Sequence, residues 1–384
     1  MCPALRGASH EPRRIAVKKT ARIAAVATMV ALSLSACGER ETDAGEDPAS
    51  TPSESTSESA SADPSQQFPD FKACMVSDSG GFDDKSFNQT SRQGLRDAVE
   101  AYGMQEADIE SNDPSEFNDN INELVSQGCN SITTVGFLLG DSTLAAAKKN
   151  KDVDFSIVDF AYTDDKGDNT APANVKGLTF NTAEPSFLAG YTAAASSESG
   201  VVGTFGGLNI PTVTIFMTGF VQGVERYNED TGSDVQVIGW DPESAEGSFT
   251  NDFEDKNLGQ STATEMINQG ADVIFPVAGP AGLGGLQAAQ DNDVKAIWVD
   301  TDGCVSAEEY CDVLLTSVMK GMDVAVQDAV LASAEDEFSN EVYVGTLENE
   351  GVKLAPFSDD VDEELQATIE DLKQQIIDGE ITVG

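Results

Sequence analysis

From residue 69 onward, short and almost unbroken apolar runs alternate with longer windows of helical periodicity. The runs that read as strands are Phe71–Ser77, Ser131–Val135, Phe155–Asp159, Val175–Phe180, Val201–Phe205, Val235–Trp240, Asp272–Val277, Lys295–Asp300, Val313–Ser317 and Glu341–Leu347. Helical windows lie between them at Ser86–Tyr102, Ser115–Gln127, Ser186–Ser197, Thr212–Tyr227, Leu258–Gln269, Gly284–Asn292, Met322–Ala334 and Asp362–Asp378. Strands without polar alternation are buried on both faces, and strand–helix alternation predicts parallel sheets covered by helices. The predicted fold class is α/β, and the length suits two lobes better than one core.

The N-terminus has a different pattern. Arg13, Arg14, Lys18, Lys19 and Arg22 precede an uncharged apolar stretch, Ile23–Leu34, too short for the ~20 residues of a spanning helix. Small residues then lead into a cysteine (Leu34-Ser35-Ala36-Cys37). This predicts a secretory signal over 1–36 with a bacterial lipobox, Cys37 being acylated and becoming the new N-terminus. Residues 37–68 are rich in Ser, Glu, Asp, Thr and Pro and almost free of large apolar side chains. They cannot bury enough surface to offset ordering entropy, and so read as an acidic tether. The expected location is the extracytoplasmic face of the cell membrane, held by lipid. No transmembrane segment is expected in the mature chain.

Charge sharpens this picture. The whole chain carries −45. The leader contains six basic residues and one acid, Glu11, so its removal leaves −50. Phosphate affinity rests on clustered Lys and Arg, so nucleic acid is excluded as a partner. The only histidine, His10, departs with the leader. That excludes histidine acid–base catalysis, Ser-His-Asp triads and His-ligated zinc, and no catalytic role, cofactor or metal is expected. Cys74, Cys129, Cys304 and Cys311 remain, an even set in an exported chain. Proximity favours Cys304 with Cys311, which leaves Cys74 for Cys129; four buried free thiols are the alternative.

The densest chemistry is D-S-G-G-F-D-D-K-S-F-N, Asp78–Asn88, directly after the first strand. An Asp ends that strand, a Gly pair turns the chain, and acids, Lys85, Phe87 and Asn88 open the next helix. Asp159, Gly279 and Asp300 stand at or just after other strand ends. Ligands of open α/β sheets bind outside the carboxyl ends of the strands, so these positions predict a polar cleft with an aromatic to stack on. Each Asp taken singly can instead cap a turn or helix.

Several motifs in this chain resemble those of the Bmp family of lipoproteins, substrate-binding components of ABC transporters that include purine nucleoside receptors. They are V-S-D-S-G-G-F-D-D-K-S-F-N (76–88), F-S-I-V-D (155–159), G-L-T-F-N-T-A-E-P-S-F-L-A-G-Y (177–191), V-A-G-P-A-G-L-G (277–284), W-V-D-T-D (298–302) and L-L-T-S-V-M-K (314–320). The first is specific; the others gain weight from their order. The resemblance implies a two-lobed type I periplasmic-binding-protein fold with three hinge crossings. Lobe I is expected over 69–181 plus about 301–334, and lobe II over 182–300 plus about 335–384. It also implies a purine nucleoside between the lobes, stacked on Phe87 and on a second aromatic, Phe253 with Trp240 as the alternative. Phe216 matches another pocket aromatic. Asp78, Asn88, Asp159, Asp300 and Lys320 match polar ligand contacts, and Gly279 a close backbone approach. A permease and an ATPase are the implied partners.

Two rival readings are weaker. Gly279–Gly285 follows a strand and opens a helix, but no G-x-G-x-x-G fits. Asp300–Gly303 lacks the third early ligand of an EF-hand loop. A structural or adhesive surface lipoprotein, or a receptor for another small ligand, stays as the alternative function.

Overall fold

The computed structural model describes residues 67–384. The expected signal, the acylation site Cys37 and all but the end of the tether lie outside the described residues. That end differs from expectation: Phe68 already belongs to the folded body. Its N–H donates to Tyr102 O at 2.8 Å and its ring packs on Tyr102, because one large aromatic suffices to anchor the segment.

The first sheet is laid down by β1 (Lys72–Ser77), β2 (Gln105–Ile109), β3 (Ser131–Val135), β4 (Asp154–Val158) and β5 (Val175–Phe180). Helices α1 (Phe87–Tyr102), α2 (Phe117–Ser126) and α3 (Gly140–Lys149) connect the first four strands. The chain then builds the second lobe through α4 (Ala183–Ser196), β6 (Val201–Gly206), α5 (Pro211–Thr231), β7 (Gln236–Ile238) and a small hairpin, β8 (Trp240–Asp241) with β9 (Glu246–Gly247). There follow α6 (Lys256–Asn268), β10 (Val273–Val277), α7 (Gly279–Asp291), β11 (Lys295–Asp300), the short α8 (Gly303–Ser306) and β12 (Leu314–Lys320). It returns to the first lobe for α9 (Met322–Ala334) and β13 (Tyr343–Gly345), and finishes in the second with β14 (Val352–Leu354) and α10 (Glu363–Ile377).

The two six-stranded sheets have matching orders, β13-β5-β4-β3-β1-β2 and β14-β12-β11-β10-β6-β7. Every pairing in them is parallel except β12 with β14. Central strands are buried throughout: Ala73–Val76, Ile132–Val135 and Ala296–Val299 are buried on both faces. Helix α1 buries Leu95, Ala98 and Tyr102, the three- and four-residue spacing of one apolar stripe.

The lobe boundaries differ from the sequence expectation. The segment about 301–334 was expected in lobe I, yet its strand β12 pairs with β11 in the second sheet. Residues 335–384 were expected in lobe II, yet β13 pairs with β5 in the first. The physical reason is the open sheet edge: β12 pairs along the free side of β11, and β13, reached after α9 has returned the chain to the first lobe, pairs along the free side of β5. The chain therefore crosses between sheets at Phe180–Ala183, at Lys320–Met322 and at Gly345–Val352. The second crossing begins on Lys320 itself.

Both pairings favoured by cysteine spacing are present. Cys74 of β1 is bonded to Cys129 beyond α2, with Cα atoms 6.0 Å apart. Cys304 and Cys311 close a short loop between β11 and β12. Closing so short a loop constrains the unfolded chain by about 2 kcal/mol. Replacing Cys304 and Cys311 by Ala should lower unfolding stability by about that amount and leave the fold intact; denaturant titration at equal slope checks it.

Candidate functional site

The carboxyl ends of both sheets meet at one cleft, about 590 Å³ of empty space counting its open mouth. Asp78, Phe87, Asn88 and Asp159 line it from the first lobe, and Phe216, Phe253, Gly279, Asp300 and Lys320 from the second. All nine favoured candidates thus share one cavity. Trp240 does not line it: its Nε1 donates to Thr218 Oγ1 at 3.0 Å and its ring packs edge-on against Phe249. The longer loop after β9 brings Phe253 to the cleft instead. Its ring lies so close to the Gly207 backbone that a Cβ there would collide with it. Its carbonyl accepts from Ala281 N at 2.8 Å, which ties the loop to the first turn of α7.

The strand ends explain how the acids arrive. Asp78 N donates to Val135 O at 3.0 Å and Asp159 N to Leu178 O at 2.8 Å, so each Asp is the last residue held by its sheet. Asp159 and Asp300 occupy left-handed backbone, φ 62° and 69°, a region that Asp tolerates better than most residues. They are equivalent ends of β4 and β11 in the two lobes. Gly136, at φ 120°, leaves room for the Asp78 carboxylate, which a Cβ would overlap. Gly279 has φ 52°, while a Cβ there would meet only ordinary contacts with Phe253. Its backbone shape, rather than protein crowding, selects glycine.

Lys320 is the centre of the charge arrangement. It is 3% exposed, and its Nζ lies 2.8 Å from Asp159 Oδ2 and 3.0 Å from Asp300 Oδ1. The first contact is an aligned hydrogen bond between lobes. The second is an ion pair without hydrogen-bond alignment, which leaves Asp300 Oδ1 without a hydrogen-bond donor. The ammonium also stands over the rings of Phe87 at 4.6 Å and Phe216 at 5.1 Å. Burial acts to lower its pKa, yet the carboxylates of Asp159 and Asp300 hold it above the usual lysine value.

Four acids line the cleft against this one base. Burial pushes the Asp78 carboxyl well above the usual range, and the charges of Asp84 and Asp159 push it further. Burial raises Asp159 too, against the opposing pull of Lys320. Asn88 donates its amide to Ser79 O at 3.0 Å, while its Oδ1 is buried with no donor. The arrangement offers flat aromatic surface from both lobes, carboxylates that accept hydrogen bonds, and one ammonium that donates.

Sequence reasoning missed Asp84, Ser86, Gly136 and Phe137 as parts of this neighbourhood. Ser86 Oγ donates to Asp300 Oδ2 at 2.9 Å across the lobes. Asp84 lay within the quoted motif, and an Asp just ahead of a helix start is a capping signal that could have singled it out. Phe137 follows β3 and had no comparable signal.

Residues 71–384 match the family model described as Bmp, ABC transporter substrate-binding protein PnrA-like. The chain belongs to this family. Among curated relatives, the CD4+ T-cell-stimulating antigen of Listeria monocytogenes is 30% identical, covering 82% of this chain and 88% of that protein. The ABC transporter nucleoside-binding protein BmpA of Lactococcus lactis is also 30% identical, over 82% and 89%. In fold, the chain resembles an ABC transporter solute-binding protein of Aeropyrum pernix K1, with TM-score 0.71, 23% identity and 81% and 92% coverage. A solute-binding protein of Conexibacter woesei gives TM-score 0.63 at 23% identity, over 82% and 98%. The Bmp chain described here is therefore an ABC-transporter substrate-binding protein with the two-lobed fold of such receptors.

Proposed function

We propose that this Bmp protein is a lipid-anchored extracytoplasmic receptor that binds purine nucleosides and passes them to a permease and ATPase. It acts as a binder rather than an enzyme. The observation that carries the reading is the shared cleft: Phe87 from one lobe and Phe216 and Phe253 from the other, with Asp78, Asp159, Asp300 and Lys320 at its floor. Aromatic faces stack a base for ~1–3 kcal/mol each. Carboxylates accept from ribose hydroxyls, and Lys320 donates to a ring or ribose acceptor. The unpartnered Asn88 Oδ1 takes a donor from the ligand. Supporting this, a 30% identical relative is named a nucleoside-binding protein. The anchor rests on the lipobox before Cys37.

Four acids against one lysine oppose a phosphate, so nucleosides are the preferred class over nucleotides. Adenosine, guanosine or inosine at a hundredfold excess over Kd should stabilise the fold by about 2.7 kcal/mol, read as a rise in melting temperature. The corresponding monophosphates should give a much smaller shift. Phe87→Ala should weaken binding by ~1–3 kcal/mol without changing the unfolding slope. No shift with any of the three nucleosides would refute the ligand assignment.

A further inference from the structure

The loop between β1 and α1 ends on Ser86 and leads directly into Phe87 and Asn88, the first residues of α1; all three face the cleft or its partner lobe. One side chain organises it. Asp84 Oδ1 accepts from Ser86 N at 3.0 Å and from Gln89 N at 2.9 Å, and its Oδ2 accepts from Asn88 N at 2.8 Å. These are orphan donors of the first turn of α1, where a carboxylate also meets the positive end of the helix dipole. Asp84 is 2% exposed. The neighbouring Lys85 is in left-handed backbone at φ 62°, and its carbonyl accepts from Trp298 Nε1 at 3.3 Å. The loop is thus bent into a strained shape and tied to the second lobe at Lys85 and at Ser86. Three N–H donors converge on one carboxylate at its centre.

We propose that Asp84 is the positioning residue of the cleft, and that its ionised form is required to hold Phe87 and Asn88 in the geometry that binds ligand. Its consequence is release of ligand on acidification. This deepens the receptor reading and rests on it for the ligand alone.

The chemistry is that of acceptor capacity. An ionised carboxylate has room for three N–H bonds; a protonated one gives up part of that capacity and presents an O–H to donors. Burial raises the Asp84 pKa to about 6, offset in part by the three backbone bonds, and the Asp300 charge adds to the rise. The groups around it are known from each side. Asp83 and Lys85 flank it in the loop and pair with each other. Asp78 faces it from the end of β1. Asp300 faces it from the end of β11, with Ser86 between. Asp159 from β4 and Lys320 from β12 are paired beyond them. Asp78 and Asp159, whose carboxyls burial also raises, are the competing titrating groups, and the test must separate Asp84 from them.

Two measurements do so, on the mature chain with inosine as probe. The first is amide exchange of Ser86, Asn88 and Gln89, expressed as protection relative to intrinsic rates and read without ligand. Protection should fall between pH 7 and pH 5 in the wild type and stay flat in Asp84→Asn. The second is inosine affinity, which one linked proton weakens roughly tenfold across the same interval. Asp84→Asn should bind more weakly than wild type at pH 7.5, because an amide oxygen replaces a carboxylate, and should show no such slope. Asp84→Ala should bind more weakly still, with Asn the partial rescue. A tenfold slope retained in Asp84→Asn would assign the effect to Asp78 or Asp159 and overturn the proposal. Unchanged wild-type protection at the three amides would also overturn it. If inosine fails to bind at any pH while protection falls as described, the nucleoside assignment fails and the linkage of Asp84 to the loop stands.

Discussion

Lys320→Met is expected to cost about 3–5 kcal/mol of unfolding stability at pH 7, the usual result of removing one partner from a buried ion pair. The substitution nearly preserves volume, so the loss is electrostatic. It strands the carboxylates of Asp159 and Asp300, both at most a tenth exposed at their side chains and joined to one ammonium. Two features distinguish this from ordinary core damage. Adding Asp159→Asn to Lys320→Met should recover part of the loss, since one stranded charge is then gone. Lowering the pH to 5 should recover part as well, since burial raises the Asp159 carboxyl and the loss of Lys320 removes the charge that opposed the rise. Denaturant titration of the single and double variants measures both. A loss below about 1 kcal/mol, the range of exposed pairs, would mean that Lys320 is solvated and does not pin the lobes.

The second large effect is the response of the whole fold to pH. Asp78, Asp84 and Asp159 all have carboxyls raised above the ordinary 3.8, burial being the largest cause in each. An acid raised in the folded state binds its proton more tightly there than in the unfolded chain. Folding therefore takes up protons between the two pKa values, and stability rises as pH falls through that window. For Asp84 the window runs from about 6 down to 3.8. At about 1.4 kcal/mol per pKa unit, that group alone makes the protein about 2 kcal/mol more stable near pH 4 than at pH 7. Asp78 and Asp159 act in the same direction, as does relief of the chain's general negative charge. Lys320 works at the other extreme: its raised pKa means its stabilisation is complete below 10.5 and is lost as pH rises past its folded value. Thermal unfolding from pH 7.5 to pH 5 should show the melting temperature rising, and Asp84→Asn should flatten the rise. A melting temperature that falls over this interval in the wild type would contradict the raised carboxyls. Inosine affinity is expected to move the opposite way, so one titration separates fold stability from binding.

The strands that the apolar pattern located best are central ones. Ser131–Val135, Val175–Phe180 and Lys295–Asp300 occur at the predicted residues, because β-branched and apolar side chains fill their mostly buried positions and turn residues bound them. The helix Met322–Ala334 was likewise placed to the residue. What escaped were elements without that signature. The edge strand Gln105–Ile109 reads Q-E-A-D-I and is half exposed. The helix Gly140–Lys149 is short and weakly amphipathic, and β14 pairs only through its neighbour β12. Such elements exist because the sheet or lobe they complete stabilises them, not through their own composition.

The candidate site divides along the same line. Asp78, Asp159, Asp300 and Gly279 could be read from the chain alone, since each stands where a buried strand runs out and a turn must begin. The α/β class was legible in the chain as well, and cysteine spacing favoured the two pairings that the structure holds. Only the tertiary structure decided which lobe each late strand joins, because strand pairing depends on neighbours and not on order along the chain. It alone brought Phe253 rather than Trp240 to the cleft, through contacts with Gly207 and Ala281 more than 20 residues away in each direction. It also set the single lysine between two acids from different lobes, and so made their charges interdependent. Burial and proximity, which sequence spacing does not encode, make Asp84 more than a helix cap, since burial pushes its carboxyl up to about 6.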